Sequence, residues 1–186
     1  MRRLVVLAVA LFALAGVGCG DDPESVKTTA ETEGLYLDIN GLKYQIELSR
    51  YMNADDVEDS EYLVGLPEGT EQPNADETWF GVWVRVQNES GETLPAADTW
   101  EIIDTQENVF KPIELDTDIN PFAFEQGVDV PANTVLPLAS SAAGQGPIQG
   151  SLLLFKVTND SLQNRPLELR FSNGEGTAVG TYDLDV

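Results

Sequence analysis

The sequence predicts an all-β protein, an antiparallel sandwich of about seven to nine strands. Three observations carry that prediction. Apolar residues from Glu33 onward recur mainly with period two. Asn-Gly dipeptides stand at 40–41 and 173–174, each next to such alternating runs. No window of residues 33–186 shows a capped apolar repeat of period 3.6.

The first element is a hairpin. Leu35, Leu37 and Ile39 alternate with Tyr36 and Asp38, and after Asn40-Gly41 come Leu42, Tyr44, Ile46 and Leu48 alternating with Lys43, Gln45 and Glu47. A two-residue loop pairs Ile39 with Leu42, Leu37 with Tyr44 and Leu35 with Ile46, so one face is apolar. It also sets Asp38 opposite Lys43, a favourable cross-strand charge pair. Phe80, Val82, Val84 and Val86 define the next strand, ended by the turn Asn88-Glu89-Ser90-Gly91. Residues 100–103 and 109–115 are less regular strands, and residues 152–157 are apolar on both faces, as a central strand is. Leu63-Val64 and residues 134–136 read as short strands. Leu167, Leu169 and Phe171 lead to the second Asn-Gly, and Ala178, Gly180, Tyr182, Leu184 and Val186 follow in matching parity. Residues 53–61, 67–77 and 137–150 read as loops. Short strands separated by turns suggest an immunoglobulin-like sandwich, with a barrel as the alternative.

Composition removes many functions. The chain has 186 residues, 32 acidic and 10 basic, no histidine and one cysteine, for a formal charge of −22. Without histidine there is no Ser-His-Asp or Cys-His catalysis, no His-ligated zinc and no type 1 copper site. A single cysteine cannot close an internal disulfide or a CxxC pair. Nucleic acid is not an expected partner, because it requires a basic face.

The N-terminus reads as an export signal over residues 1–18. Arg2 and Arg3 precede an apolar run over residues 4–17, and its 14 residues fall short of a membrane span. Ala15-Gly16-Val17-Gly18-Cys19-Gly20 is lipobox-like, although Gly16 stands where an aliphatic residue is usual. Cys19 is therefore the expected lipid attachment site, and two acyl chains give stable anchoring. Loss of Arg2 and Arg3 leaves 8 basic and 32 acidic residues, a charge of −24 that repels anionic headgroups. Residues 19–32 read as a flexible acidic stalk, and residues 33–186 as the sandwich. The expected location is extracytoplasmic, at the outer face of a bacterial cell membrane.

The lipobox-like end, the segment Trp79-Phe80-Gly81-Val82-Trp83-Val84-Arg85-Val86-Gln87-Asn88, the following Trp100-Glu101-Ile102-Ile103-Asp104 and the late strand at 152–157 form one ordered set. In that order they resemble bacterial secreted lipoproteins carrying an immunoglobulin-like domain of unknown function. The resemblance implies the sandwich fold and extracytoplasmic display. It implies no reaction and brings no catalytic residues.

Few polar motifs suggest chemistry. Asp116, Asp118 and Asn120 alternate as the ligands of a calcium loop begin, but Pro121 replaces the required glycine and Gly127 the closing glutamate. A solvated acidic turn is the plainer reading, and the same holds for Asp55, Asp56, Glu58, Asp59 and Glu61. Trp79, Trp83 and Arg85 share one strand face and would suit a saccharide or partner protein if exposed; covered, they are core. Ser140, Ser141 and Lys156 lack the spacing of a Ser-Lys dyad. The sequence therefore favours a non-enzymatic, lipid-anchored interaction module of the envelope, with an unknown envelope protein or saccharide as partner. A calcium- or saccharide-binding lipoprotein is the alternative, and a two-carboxylate hydrolase the third reading.

Overall fold

Asn40 and Gly41 take φ of 52° and 82°, the two positive values a type I′ turn demands, and the expected first hairpin forms around them. Its register pairs Ile39 with Leu42, Asp38 with Lys43 and Leu37 with Tyr44. The structure is a computed structural model that describes residues 27–174 and 177–184. In chain order the first strands are β1 (Thr29–Ala30), β2 (Tyr36–Ile39), β3 (Leu42–Met52), β4 (Glu77–Asn88), β5 (Leu94–Pro95), β6 (Thr99–Ile103) and β7 (Val109–Phe110). They are followed by β8 (Pro112–Ile113), β9 (Asp129–Val130), β10 (Thr134–Leu136), β11 (Ser151–Thr158), β12 (Leu167–Ser172) and β13 (Gly180–Leu184). Two short α-helices, α1 (Val57–Tyr62) and α2 (Ala142–Gln145), and a 3-10 turn at Ser161–Gln163 complete the described elements.

One sheet has the order β2-β3-β4-β11-β8, with β10 pairing the end of β4, and the other has the order β1-β13-β12-β6-β7. The order β3-β4-β11-β8 packed over β13-β12-β6 is the ABED-over-GFC arrangement of an immunoglobulin constant domain. An all-β sandwich is thus the fold, with β1, β2 and β7 widening it at the edges.

The inner core joins Leu42, Ile46, Phe80, Val84 and Phe155 of the first sheet to Ile102, Leu169, Phe171 and Leu184 of the second. Trp100 occupies the strand equivalent to C, where immunoglobulin domains place a tryptophan against a disulfide. Here it stacks on Phe171 at 4.6 Å between centroids and 14° between planes, so aromatic packing replaces the bridge. Two tyrosines cross the core in opposite directions. Tyr44 of β3 accepts the Ala97 N–H at 2.8 Å just before β6. Tyr182 of β13 places its hydroxyl 2.7 Å from the carbonyls of Leu35 and Tyr44. Burial pushes both hydroxyl pKa values above their ordinary range, so both stay neutral donors and acceptors.

The sheet containing β4 is apolar on its other face too. Trp79, Trp83, Leu152 and Leu154 form a second buried cluster with Met52 and Tyr62. A β-bulge between Ile46 and Leu48 supplies part of it: Ile46 pairs with Val84 but Leu48 pairs with Trp83, leaving Glu47 as the extra residue. Side chains at 42, 44 and 46 point inward, whereas Leu48 and Met52 pack on the outer cluster. Strict alternation had put Leu48 with Leu42, Tyr44 and Ile46; the bulge reverses that parity.

Other expectations change as well. Thr29–Ala30, assigned to the stalk over 19–32, pairs in parallel with Thr181 and Tyr182, and Ala30 is buried, because the edge of β13 offers free main-chain groups. The expected loop 53–61 contains α1, capped by Asp56, whose carboxylate accepts from the Glu58 and Asp59 N–H groups. Leu63-Val64 follows that helix and is not a strand. Leu35 precedes β2 and is half-exposed. Asn173-Gly174 is not a two-residue turn, since Phe171 pairs with Gly180 and a longer connection intervenes. Its side chain instead ties loops together: Asn173 Nδ2 donates to the Pro95 and Ala96 carbonyls, and Asn40 Nδ2 donates to Asn173 Oδ1 at 3.3 Å.

Tyr44→Phe removes the acceptor of a buried N–H while keeping the ring. A loss of about 1–2 kcal/mol in urea unfolding is expected; an unchanged midpoint would show that the cross-sheet bond contributes nothing.

Candidate functional site

Trp79 and Trp83 are 1% and 0% exposed, so they are core and not a surface platform. Tyr62 of α1 meets the Trp83 ring edge-on at 5.3 Å, and the Arg50 guanidinium lies 5.3 Å from the same ring's centroid. Arg85, the third member of the expected patch, lies 3.6 Å from Glu47. Asn120 is also buried: its Nδ2 donates to the Tyr62 and Val64 carbonyls, and its Oδ1 accepts the Phe122 N–H. The carboxamide is consumed in holding the cover over the tryptophans. Asp116 turns back to accept the Asp118 N–H at 2.9 Å, so Asp116, Asp118 and Asn120 do not converge as calcium ligands. Among the described residues no group of three or more His, Cys, Asp and Glu side chains is placed to hold a metal ion. Ser141 caps α2 and Lys156 lies 3.6 Å from Glu77, which separates the imagined dyad. Cys19 lies outside the described residues.

Two of the molecule's concave regions bring together enough side chains to be considered as sites. The first, about 700 Å³, opens between α1 and the segment 145–148, with Leu48, Tyr62, Phe122 and Ile148 in its walls. Three of its five charged side chains are in structural bonds. Arg50 bonds to Asp59, and Asp56 caps the helix. Burial pushes the Asp59 carboxyl up, but Arg50 and the Asn53 N–H outweigh it and hold the group below the usual carboxylate range.

The second is a polar groove of about 810 Å³ at one end of the sandwich. Three connections meet there: residues 74–77 entering β4, the turn from β6 to β7, and the passage from β11 to β12. Asn74, Gln106, Asn108, Asn159, Gln163 and Asn164 bring six carboxamides to it, with Asp76, Glu77 and Asp160 as carboxylates and Val109 and Phe110 as apolar surface. Beneath this rim lies Asp104, 4% exposed. Its Oδ1 accepts the Gln106 and Asn108 N–H groups, each at 2.9 Å. Its Oδ2 accepts Asn108 Nδ2 at 2.8 Å and Asn164 Nδ2 at 3.3 Å. Burial raises the Asp104 pKa, but bonds from Asn108, Ser161 and Gln106 prevail and hold it well below the usual carboxylate range. A buried charge satisfied in this way fixes the orientation of Asn108 and Asn164 before any ligand arrives. By contrast, Asp160 makes no capping bond, and among the described residues neither the Gln163 carboxamide nor the Asp76 carboxylate makes a hydrogen bond, although the Asp76 N–H donates to Asn74 Oδ1.

Sequence reasoning passed over this groove. Its polar residues come from three separate connections, and no local motif joins them. The one local signal is Asp104-Thr105-Gln106-Glu107-Asn108, an acidic residue at a strand end followed by turn formers, with Glu107 at φ 65°.

No family model and no curated protein matches the chain. Among solved structures, it is similar to the yjhA protein from Bacillus subtilis at 8% identity and TM-score 0.50, over 83% of this chain and 99% of that one. That likeness concerns the fold alone. An uncharacterized beta-sandwich protein from Clostridium difficile 630 has 9% identity, coverage of 88% and 100%, and TM-score 0.46. A functionally unknown protein from Listeria monocytogenes EGD-e has 10% identity, coverage of 84% of both chains, and TM-score 0.49.

Asp104→Asn keeps the shape but turns an acceptor into a donor facing donors. Because the native pKa is depressed, the carboxylate's contribution is present above the unfolded value near 3.9 and is lost as pH falls below it. Thermal melts should show the variant about 2 kcal/mol less stable at neutral pH, with the gap to wild type closing below about pH 4. A gap independent of pH would refute the depressed carboxylate.

Proposed function

We propose that the chain is a lipid-anchored, extracytoplasmic interaction module of the bacterial cell envelope, which binds a partner without transforming it and presents the polar groove to that partner. The observation that carries this reading is topological. β1 runs parallel to β13, with Thr29 opposite Thr181, and β13 starts at the end of the sandwich that holds Asn40-Gly41 and Asn173. The Lys27 carbonyl accepts the Asp38 N–H at 2.9 Å beside that same turn. The chain therefore joins the sandwich at one end, and the groove occupies the other. With lipid on Cys19, the joining end faces the membrane and the groove faces away from it.

Charge supports the arrangement. A body of −24 is repelled by anionic headgroups, so the domain stands off the surface that its lipid holds. The absence of histidine and the engagement of Asp59 and Asp104 in structural bonds favour binding over catalysis.

Mass spectrometry of the mature N-terminus, with fractionation of Cys19→Ala, tests the reading. Wild type should carry acyl mass at residue 19 and sediment with membranes, while the variant is released. Unmodified wild-type protein in the soluble fraction would refute anchoring.

A further inference from the structure

We infer that the groove at the far end of the sandwich binds a neutral oligosaccharide. The inference rests on the display reading only for the direction in which the groove faces; binding itself does not require Cys19. Carboxamides donate from nitrogen and accept at oxygen, which matches vicinal hydroxyls that do both. Gln163 lines the groove with neither end of its carboxamide bonded among the described residues. Gln106 Nε2, by contrast, donates to Asn164 Oδ1, Asn108 Nδ2 to Asp104 and Asn159 Nδ2 to the Ala75 carbonyl, so these three offer mainly their oxygens; Phe110 is half-buried among them. A sugar ring pairs hydroxyl edges with an apolar C–H face, and Val109 and Phe110 are the apolar surface available to that face.

The lining also discriminates among ligands. Asp76 and Asp160 place negative charge in the groove of a strongly acidic body, so an anionic glycan is repelled. A peptide anchored by apolar side chains needs pockets that Val109 and Phe110 alone do not form. The buried Asp104 hub adds pre-organisation: with Asn108 and Asn164 already held, a ligand does not have to order them.

Calorimetric titration of the chain purified from expressing cells, with cellotriose and with tri-N-acetylchitotriose, tests this. Saturable binding of at least one trisaccharide is expected, with a Kd on the order of 1 mM or tighter. Gln163→Ala removes a side chain that makes no hydrogen bond among the described residues and should weaken binding about tenfold. Val57→Ser, on the exposed side of α1, should leave it unchanged. No heat from either neutral trisaccharide at about 10 mM, with the fold intact by circular dichroism, would overturn the inference. So would equal binding by Gln163→Ala, or tighter binding of a basic peptide or of trigalacturonate. Cleavage of the sugar during titration would overturn the non-catalytic reading instead, and loss of membrane association would overturn anchoring alone; neither bears on whether the groove binds sugar.

Discussion

The constraint on which the structure depends is that β4 is apolar on both faces. Phe80, Val82, Val84 and Val86 require the second sheet on one side, and Trp79 and Trp83 require a different cover on the other. Between the tryptophans stands Gly81, where a Cβ would lie 2.7 Å from both the Met52 sulfur and the Trp83 ring. The glycine has an ordinary backbone and is there for space. Its absent side chain lets Trp83 lie flat across the strand.

Covering that outer face shapes the sequence elsewhere. The bulge at Glu47 turns Leu48 and Met52 outward to flank the tryptophans, while the inner positions of β3 still match the second sheet. Helix α1 is six residues long, too short to persist alone, and is held by its Asp56 cap, the Arg50–Asp59 pair and Tyr62 against Trp83. Asn120 then bonds the carbonyls of Tyr62, the last residue of α1, and of Val64 beyond it, closing the cover. The polar groove is independent of this arrangement. It is built on connections at one end of the sandwich and stiffened by Asp104 and by bonds from its own carboxamides, with Gln163 the rim carboxamide that makes no side-chain hydrogen bond among the described residues.

How much of this was legible depended on range. The first hairpin was readable because turn chemistry and alternation agree within a few residues, and Asn40 and Gly41 adopt the required φ. The same period marks β4, β12 and β13, and a continuous apolar run marks β11, whereas the two-residue strands β1, β5 and β9 are too short to show any period. Leu48 was misplaced because a bulge is an insertion in pairing and leaves no mark on one strand read alone. The strand pattern leaves Trp79 and Trp83 open to either a platform or a core reading, because their cover comes from segments at 48–66 and 113–148, whose apolar residues are too scattered to read as an element. Asn120 stands as a candidate ligand beside the plainer turn reading, because spacing shows oxygen atoms but not the N–H groups that consume them. The groove was invisible for the same reason: its residues meet only when three connections do.

The two-faced sheet is tested most directly by the accessibility of its tryptophans. Trp100→Phe leaves Trp79 and Trp83 as the chain's only tryptophans, both on the outer face of β4. The account predicts blue-shifted emission with little quenching by acrylamide in the folded variant, rising to full quenching on unfolding. Red-shifted, readily quenched emission from the folded variant would show that the outer face is open to solvent, and would contradict the account.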